Sequence, residues 1–308
     1  MLYFSKLAHA KSLKGSVLTN SSSGIQHAWH FYYAVILVLK CYAEAWSLRA
    51  SPLYWALCFR LISEVIMNQE LESLYRSKWD ALLEAASGLS SKASNPLLIK
   101  VDQTYIDSDV KVMIVGQETD GWCGQLNAGD ATVENLMNEY FNYFHQISGS
   151  GKNRGKRAFW NRKNFRFFQE KLTEQFSSKT VSFIWNNISK IGNDGRGKPS
   201  PSIRNLEREY FNILAEEFSI LRPDIVIFTT GSTRDSFIKH HFGNKVQFLP
   251  KLSFLDGVLA EQTLNLIAEV RIPQYPDLKA IRIEHPNRRT LSNSVSFSAL
   301  KQMIERET

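Results

Sequence analysis

Cysteine is scarce in this chain. Cys41, Cys58 and Cys123 are all it has, and no two stand in a CxxC spacing. That count and spacing argue against a disulfide framework, a four-cysteine iron–sulfur cluster and a structural zinc site. Free thiols fit a reducing cytoplasm. No metal and no cofactor is expected. Long apolar runs are missing too. The longest, Phe31–Leu39, is nine residues and ends at Lys40. It falls short of the ~20 residues a spanning helix needs and begins too deep in the chain for an ordinary signal peptide. Internal repeats and low-complexity tracts are absent. These absences describe a soluble, cytoplasmic protein with no membrane association.

Acidic residues are thin in the first fifth of the chain. Residues 1–66 carry six Lys/Arg (Lys6, Lys11, Lys14, Lys40, Arg49, Arg60) against Glu44 and Glu64. That surplus of four leaves three for the rest of a chain whose formal net charge is +7. Net charge therefore says little about a polyanionic partner, and local clustering must carry that argument. The same 66 residues are rich in aromatics and lack a clean period. At Met67 the text changes. Asn68 stands where a helix N-cap would, Leu71, Leu74, Tyr75, Trp79, Leu82 and Leu83 form one stripe, and Gly88 follows as a stop. Residues 1–66 have two readings: sequence upstream of a native start at Met67, or an N-terminal extension to a domain over 67–308.

From residue 89 onward strands alternate with helices. Lys111–Val115 is an apolar run ending in Gly116. A helix follows with Val133, Leu136, Met137, Tyr140, Phe141 and Phe144 on one face. A basic segment leads to an aromatic helix near 158–176. Val181–Trp185 reads as a second strand, ending at Asn186–Asn187. A Gly/Pro-rich loop precedes one helix bearing Leu206, Tyr210, Ile213, Leu214, Phe218 and Leu221, with Pro223 after it. Ile225–Phe228 is a third strand, closing on Thr229–Thr230–Gly231, and Ser232 with Asp235 resembles a capping pair. Ala280–Ile283 is a fourth, ending at His285–Pro286, and a last helix spans about 295–306. The alternation predicts an α/β fold: a three-layer α/β/α sandwich on a mainly parallel four-stranded sheet. Ligands of such sheets bind beyond the carboxyl ends of the strands. Gln117 and Glu118, Asn186 and Asn187, Gly231 and Ser232, and His285 and Asn287 all fall there.

These four strand ends carry a resemblance. Gly116-Gln117-Glu118-Thr119-Asp120-Gly121-Trp122 is similar to the first motif of the uracil-DNA glycosylase superfamily, which in its best-known branch begins Gly-Gln-Asp-Pro-Tyr-His. His285-Pro286-Asn287-Arg288-Arg289 resembles the second, which begins His-Pro-Ser. Asn186 or Asn187 falls where that superfamily reads the base, and Ile227–Gly231 where it has an apolar strand closing on Gly. The order agrees over roughly residues 105–300. The resemblance implies a monofunctional DNA glycosylase that cuts the N-glycosidic bond of a flipped-out base and leaves an abasic site. Its transition state puts positive charge on the sugar and negative charge on the departing base. Glu118 suits the first charge, with Asp120 as the alternative acid, and His285 suits the second. Gly116, Gln117, Asn186 or Asn187, and Trp122 would form the base site; an amide offers both donor and acceptor to a base edge.

Thr119-Asp120 replaces the Pro-Tyr of the best-known branch. In the superfamily that Tyr excludes bases substituted at ring position 5, so this pocket is expected to admit a modified pyrimidine, such as a substituted cytosine in phage DNA, as well as uracil. Some bacterial members act in that way as antiviral defence. Trp122 is a stacking wall or a core residue on this reading.

DNA contact falls on the basic run 151–166, where Lys152, Arg154, Lys156, Arg157, Arg162, Lys163 and Arg166 interleave with Phe159, Trp160 and Phe165 and no acid intervenes; cations with aromatics suit phosphate contact and base stacking. Ser232, Asn287, Arg288 and Arg289 extend the expected DNA surface, and Leu291 or Arg289 would wedge the base stack. The expected assembly is a monomer. Two other functions share these residues: a catalytically silent nucleic-acid-binding module on the same fold, and a small-molecule hydrolase of nucleosides. No lysine stands in a clear Schiff-base position; Lys190 is the nearest.

Overall fold

The computed structural model describes residues 52–129, 131–145, 163–195, 197–250, 260–285 and 290–305. The first helix among the described residues, α1, runs Pro52–Ser87 without interruption through Met67. Asn68 is therefore no N-cap. Its side-chain amide instead pairs with both the N–H and the carbonyl of Val101, at 3.0 and 2.9 Å. It fastens the irregular 97–101 segment, whose Leu97, Leu98 and Ile99 are fully buried. Gly88 ends the helix as its sequence indicates. Trp55–Thr308 is one compact unit, and no helix among the described residues is long and apolar enough to cross a membrane.

A short helix α2 (Gln103–Asp107), capped by the Asp102 carboxylate, leads into β1 (Val110–Gly116). Then come α3 (Val133–Phe144), α4 (Lys163–Gln175), β2 (Val181–Asn187), α5 (Pro201–Tyr210), α6 (Leu214–Leu221) and β3 (Ile225–Phe228). A 3₁₀ turn at Ser232–Arg234 opens α7 (Asp235–Phe242), and β4 (Gln247–Pro250), α8 (Ala260–Leu266), β5 (Ile267–Arg271), β6 (Lys279–Ile283) and α9 (Asn293–Glu305) complete the order. The six strands among the described residues share one sheet in the order β2-β1-β3-β6-β5-β4. β2, β1, β3 and β6 run parallel, and β5 and β4 extend the sheet antiparallel. The chain is thus α/β as expected, but its sheet is mixed and has six strands rather than four.

The four expected strands were legible because strands covered on both faces read as continuous apolar runs. Val112–Val115 and Val226–Phe228 have no exposed surface at all. The two extra strands lack that signal. β4 is a short edge strand, only partly buried and ended by Pro250, as edge strands tolerate. β5 follows Leu266 with no intervening turn, so no Gly or Pro marks its start.

The long helix expected over 206–221 is two helices, separated at Phe211–Ile213. Phe211 and Ile213 are fully buried, and the Phe211 N–H closes the end of α5 on the Glu207 carbonyl at 2.8 Å. On one continuous helix Glu207 and Glu217 would stand about 15 Å apart along the axis. The break brings both carboxylates to the end of β2. Ser232 and Asp235 do not form a capping box: no side chain caps either turn. The Asp235 carboxylate instead pairs with the guanidinium of fully buried Arg282 on β6, at 3.0 and 3.1 Å.

Beneath the end of β2 lies a buried polar cluster. The Lys190 ammonium is 2.7 Å from Glu217 and donates to the Asn186 Oδ1 at 2.5 Å. Glu217 also accepts from Tyr75 at 2.7 Å and from the Asn186 Nδ2 at 2.9 Å. The Tyr75 hydroxyl in turn accepts the Ile99 N–H. Removing one member of a buried ion pair leaves the other charge uncompensated, at a cost of about 3–5 kcal/mol. Glu217→Ala should lower the unfolding free energy by that amount, read by chemical denaturation. An exposed control, Glu72→Ala, which breaks a surface pair with Arg76, should cost about 0.5 kcal/mol.

Candidate functional site

The carboxyl ends of the four parallel strands are sewn together through backbone and amide contacts. Gly116 ends β1 beside Asn187 in register. The Ile188 N–H donates to the Gly116 carbonyl and the Ser189 N–H to the Gln117 carbonyl, each at 2.9 Å. The Gln117 side chain reaches across to β3, its Nε2 donating to the Thr230 carbonyl at 2.7 Å. Gly231 closes on β6, donating to the Ile283 carbonyl at 2.9 Å. A Cβ on Gly231 would lie 3.7 Å from the His285 backbone nitrogen. Gln117, Thr230–Gly231 and His285 thus follow one another along the sheet edge, and Glu118 leaves the same turn.

Residues 117–124 are fixed from outside the sheet. Gly192 packs so closely on this loop that a Cβ there would meet the Thr119 carbonyl oxygen at 2.1 Å. The Gly121 N–H donates to the Asn193 carbonyl, and the Asn95 amide holds the Cys123 carbonyl at 2.9 Å. Thr119, in the place of the resembled motif's Pro, is buried. Asp120 is exposed and forms an isolated parallel bridge with Asn193. Its exposure gives it no sheltered environment, and Glu118 is the acid the fold encloses.

Glu118 is not a helix N-terminal carboxylate. Both its oxygens accept from one guanidinium nitrogen of Arg234, at 2.7 and 2.9 Å, and both side chains are nearly buried. Burial pushes its carboxyl above the ordinary glutamate range, and the positive charges of Arg234, Lys198 and Arg204 only partly oppose this. Arg234 also lies over the Phe237 ring at 4.8 Å, and Arg208 lies over the same ring at 5.2 Å. Arg204 and Arg208 stand one turn apart on α5. The acid therefore sits among cations contributed by α5 and the turn after β3.

The two asparagines at the end of β2 have different fates. Asn186 is fully buried and spends its amide on Lys190, Glu217 and the Asn187 N–H. It belongs to the scaffold and is unsuited to reading a base. Lys190 is held in the same cluster with 1% of its side chain exposed, out of reach for Schiff-base chemistry. Asn187 faces the other side of the strand. Its Oδ1 accepts from the Trp185 indole Nε1 at 3.1 Å, while its Nδ2 is buried with no hydrogen-bond partner. Such an orphaned donor costs about 1–3 kcal/mol unless water or a ligand meets it.

Trp122 is half-buried and meets Trp185 and Tyr143 edge-on, with ring centroids 5.8 and 5.3 Å away. Its indole Nε1 is buried and likewise unpartnered. Trp122 is thus core-packed and carries a spare donor at once.

His285 follows β6 and is half-buried. The Glu284 carboxylate before it accepts the backbone N–H groups of Thr290 and Leu291, at 2.7 and 2.9 Å. One side chain therefore ties the two ends of the loop that begins at His285. Leu291 packs half-buried against the hydrophobic core, which makes it an anchor of that loop and a poor wedge. Pro286, Asn287, Arg288 and Arg289 lie outside the described residues, as do Lys152, Arg154, Lys156, Arg157, Phe159, Trp160 and Arg162. Phe165 is a core residue, 1% exposed, and Arg166 pairs with Glu170 on the α4 surface. Ser232 is half-buried in the turn that also supplies Arg234.

Arg234, Glu284, Glu207 and Glu217 were not singled out as site or scaffold residues by the sequence, and Lys190 was named only as the lysine nearest to a Schiff-base position. Charged residues in amphipathic helices and turns read as solvated faces, and only the tertiary fold distinguishes the buried ones. Glu207 is a strong case. It accepts the Lys190 N–H at 2.6 Å, and burial raises its carboxyl to about 8.

The edge geometry makes Gly116 a tight constraint on the Asn187 amide. A Cβ there would stand 2.5 Å from the Asn187 Oδ1. Gly116→Ala should displace the Asn187 amide while leaving strand β1 paired. The expected outcome is a perturbed Asn187 side-chain NH₂ resonance and weakened ligand binding, with a loss of stability of about 1–3 kcal/mol from overpacking.

No protein-family model matches this chain, and no curated protein matches it.

Proposed function

We propose that this chain is a DNA glycosylase hydrolysing the N-glycosidic bond of a flipped-out uracil or modified pyrimidine and leaving an abasic site. The observation that carries this reading is the orphaned, buried Asn187 amide beside Gly116, on a sheet edge that also presents Glu118 and His285. On this reading the helices complete a three-layer α/β/α sandwich of the uracil-DNA glycosylase kind, with β4 and β5 added at one edge. Asn187 rather than Asn186 is the base reader.

In the proposed reaction the bond from C1′ to the base breaks and its electron pair leaves on the base. Water oxygen then bonds C1′, and the water's proton passes to a base on the protein or to solvent. Glu118 supplies negative charge near the sugar cation. The Arg234 contacts occupy one lone-pair site on each carboxylate oxygen, leaving others to orient water. His285 donates to the base oxygen that gains charge, and the Glu284 staple positions its loop. Lys198, Arg204 and Arg208 form a basic rim beside Glu118 that suits the phosphates flanking a flipped nucleotide. The 151–166 run, with Arg288 and Arg289, is proposed to extend that contact. No cofactor is required, and the protein acts as a cytoplasmic monomer. A phage-defence role follows if the substrate is a modified base.

A second reading is a catalytically silent nucleic-acid-binding module. The Arg234 pairing favours it, because a compensated carboxylate stabilises a sugar cation less well. Incubation with uracil-containing and modified-base DNA, followed by detection of abasic sites, separates the two. The glycosylase reading expects product, lost about 10²–10⁴-fold in Glu118→Gln and about 10²–10³-fold in His285→Ala, with folding retained. DNA binding without abasic product at any concentration of enzyme supports the silent module and rejects the glycosylase.

The pH profile gives a further check. Glu118 must be ionised to act, so activity should fall as pH drops, through an acid limb lying above the ordinary glutamate range. Arg234→Gln removes the largest influence holding that carboxyl down. It should move the acid limb to higher pH, whereas Arg208→Gln should reduce the salt dependence of DNA binding and leave the limb close to where it was.

A further inference from the structure

We infer that Arg234 is a phosphate-operated latch on Glu118: it holds the carboxylate in the free protein, and a phosphodiester of the bound DNA draws the guanidinium away and uncovers the acid. The inference rests on the glycosylase reading above and goes beyond it by naming what switches Glu118 on.

The Arg234–Glu118 pairing is one-sided. A guanidinium holds a carboxylate best through two nitrogens in a parallel fork. Here both Glu118 oxygens accept from Nη2 alone, at 2.7 and 2.9 Å. The N–H groups on Nη1 and Nε make no hydrogen bond among the described residues. They form the edge of the guanidinium that matches two phosphate oxygens. Only 7% of the Arg234 side chain and 11% of the Glu118 side chain is exposed. Donors left open in such a sheltered place gain more from an anion than they would in bulk water.

The local charge is unbalanced as well. Arg234, Lys198 and Arg204 all act on the Glu118 carboxylate, and Arg208 shares the Phe237 ring with Arg234. Glu207, whose carboxyl feels Glu118, is raised by burial to about 8 and carries little charge at neutral pH. Asp235 is committed to Arg282. One carboxylate therefore faces Arg234, Lys198, Arg204 and Arg208, and a second anion would balance them. Lys198 and Arg208 are exposed, so that anion can arrive from solvent.

A phosphodiester has the required chemistry: one negative charge shared by two oxygens, which can receive Nη1 and Nε together. It competes with Glu118 for one guanidinium, and such competition is reciprocal. Arg234 need only turn its long side chain; the 3₁₀ turn that bears it stays in place. The compensated carboxylate, poorly suited to a sugar cation, is then a property of the free protein alone. Once DNA has taken Arg234, Glu118 meets the sugar with its full charge.

The test measures binding of a labelled oligodeoxynucleotide of unmodified A, C, G and T to the full chain, at one salt concentration, in a double-mutant cycle. Glu118→Gln frees Arg234 and should tighten binding about tenfold. Arg234→Gln should weaken it about tenfold. In the Arg234→Gln background, Glu118→Gln should change binding by about twofold at most. If Arg234 is merely structural, or if Glu118 repels DNA through space, Glu118→Gln has the same effect in both backgrounds, and that result overturns the proposal. So does an absence of tightening in Glu118→Gln. If Arg234→Gln fails to fold, the wild-type protein still decides the matter. The Arg234 Nε–H and Glu118 side-chain carboxyl resonances should both shift with the oligonucleotide and not with a neutral deoxynucleoside; an unmoved pair overturns the latch. Inorganic phosphate is the second arm. Coupling seen with it and not with the oligonucleotide assigns the site to a free anion and overturns the DNA assignment. Arg234-dependent tightening with no abasic product from any base sinks the glycosylase reading and leaves the latch standing. Abasic product with equal effects in both backgrounds does the reverse.

Discussion

A lysine ammonium with almost no exposed surface is the constraint around which the end of β2 is organised. Taking Lys190 out of water is costly, and it is tolerable only when the surrounding groups complete its coordination. Glu217 and Asn186 do so directly, and Tyr75 saturates the other carboxylate oxygen. The cluster joins α1, β2 and α6. It also dictates the next residue outward. Successive side chains on a strand point to opposite faces, so once Asn186 is committed to Lys190, Asn187 must face away from that cluster, onto Gly116 and Trp185. The spare donor of the candidate site is thus a geometric consequence of a charge buried behind it.

Charge continues along the same edge. Glu207 reaches up to the backbone of Lys190 and Ile191, and burial drives its carboxyl to about 8, with the negative charge of Glu118 contributing in the same direction. Glu118 is raised by burial too, but three cations oppose the shift. Both carboxyls are thus shifted upward by burial, Glu207 on α5 and Glu118 at the sheet edge. Shifted carboxyls are a recurring feature of working sites. The charge opposing the shift of Glu118 comes chiefly from Arg234, supplied by the turn after β3, and Glu118 stands closer to solvent than Glu207.

Much of this is legible in the sequence. Parallel strands covered on both faces announce themselves as apolar runs, and Gly116, Asn187, Gly231 and His285 follow the ends of those strands along one edge. The helix boundaries at Gly88 and Pro223 were equally readable. The antiparallel pair β4–β5 was not, because a short edge strand carries little apolar signal and β5 begins where α8 stops. The split between α5 and α6 was hidden because the apolar spacing of Leu206 through Leu221 suits one helix as well as two.

The sequence by itself determined the alternating α/β order and the strand ends on which Gly116, Gln117, Glu118, Asn187 and His285 fall, since hydrophobic period and Gly or Pro punctuation are local properties. It left Asn186 and Asn187 equivalent, because adjacent residues differ only in which face of a strand they meet. Tertiary structure decided that question by burying Lys190 on one face. It also placed Arg234 on Glu118, the Glu284 carboxylate on the backbone of Thr290 and Leu291, Leu291 against the core and Trp185 against the Asn187 oxygen. Each of these is a contact between residues distant in sequence, or between side chains whose direction only packing fixes, and no local pattern in the chain could have specified it.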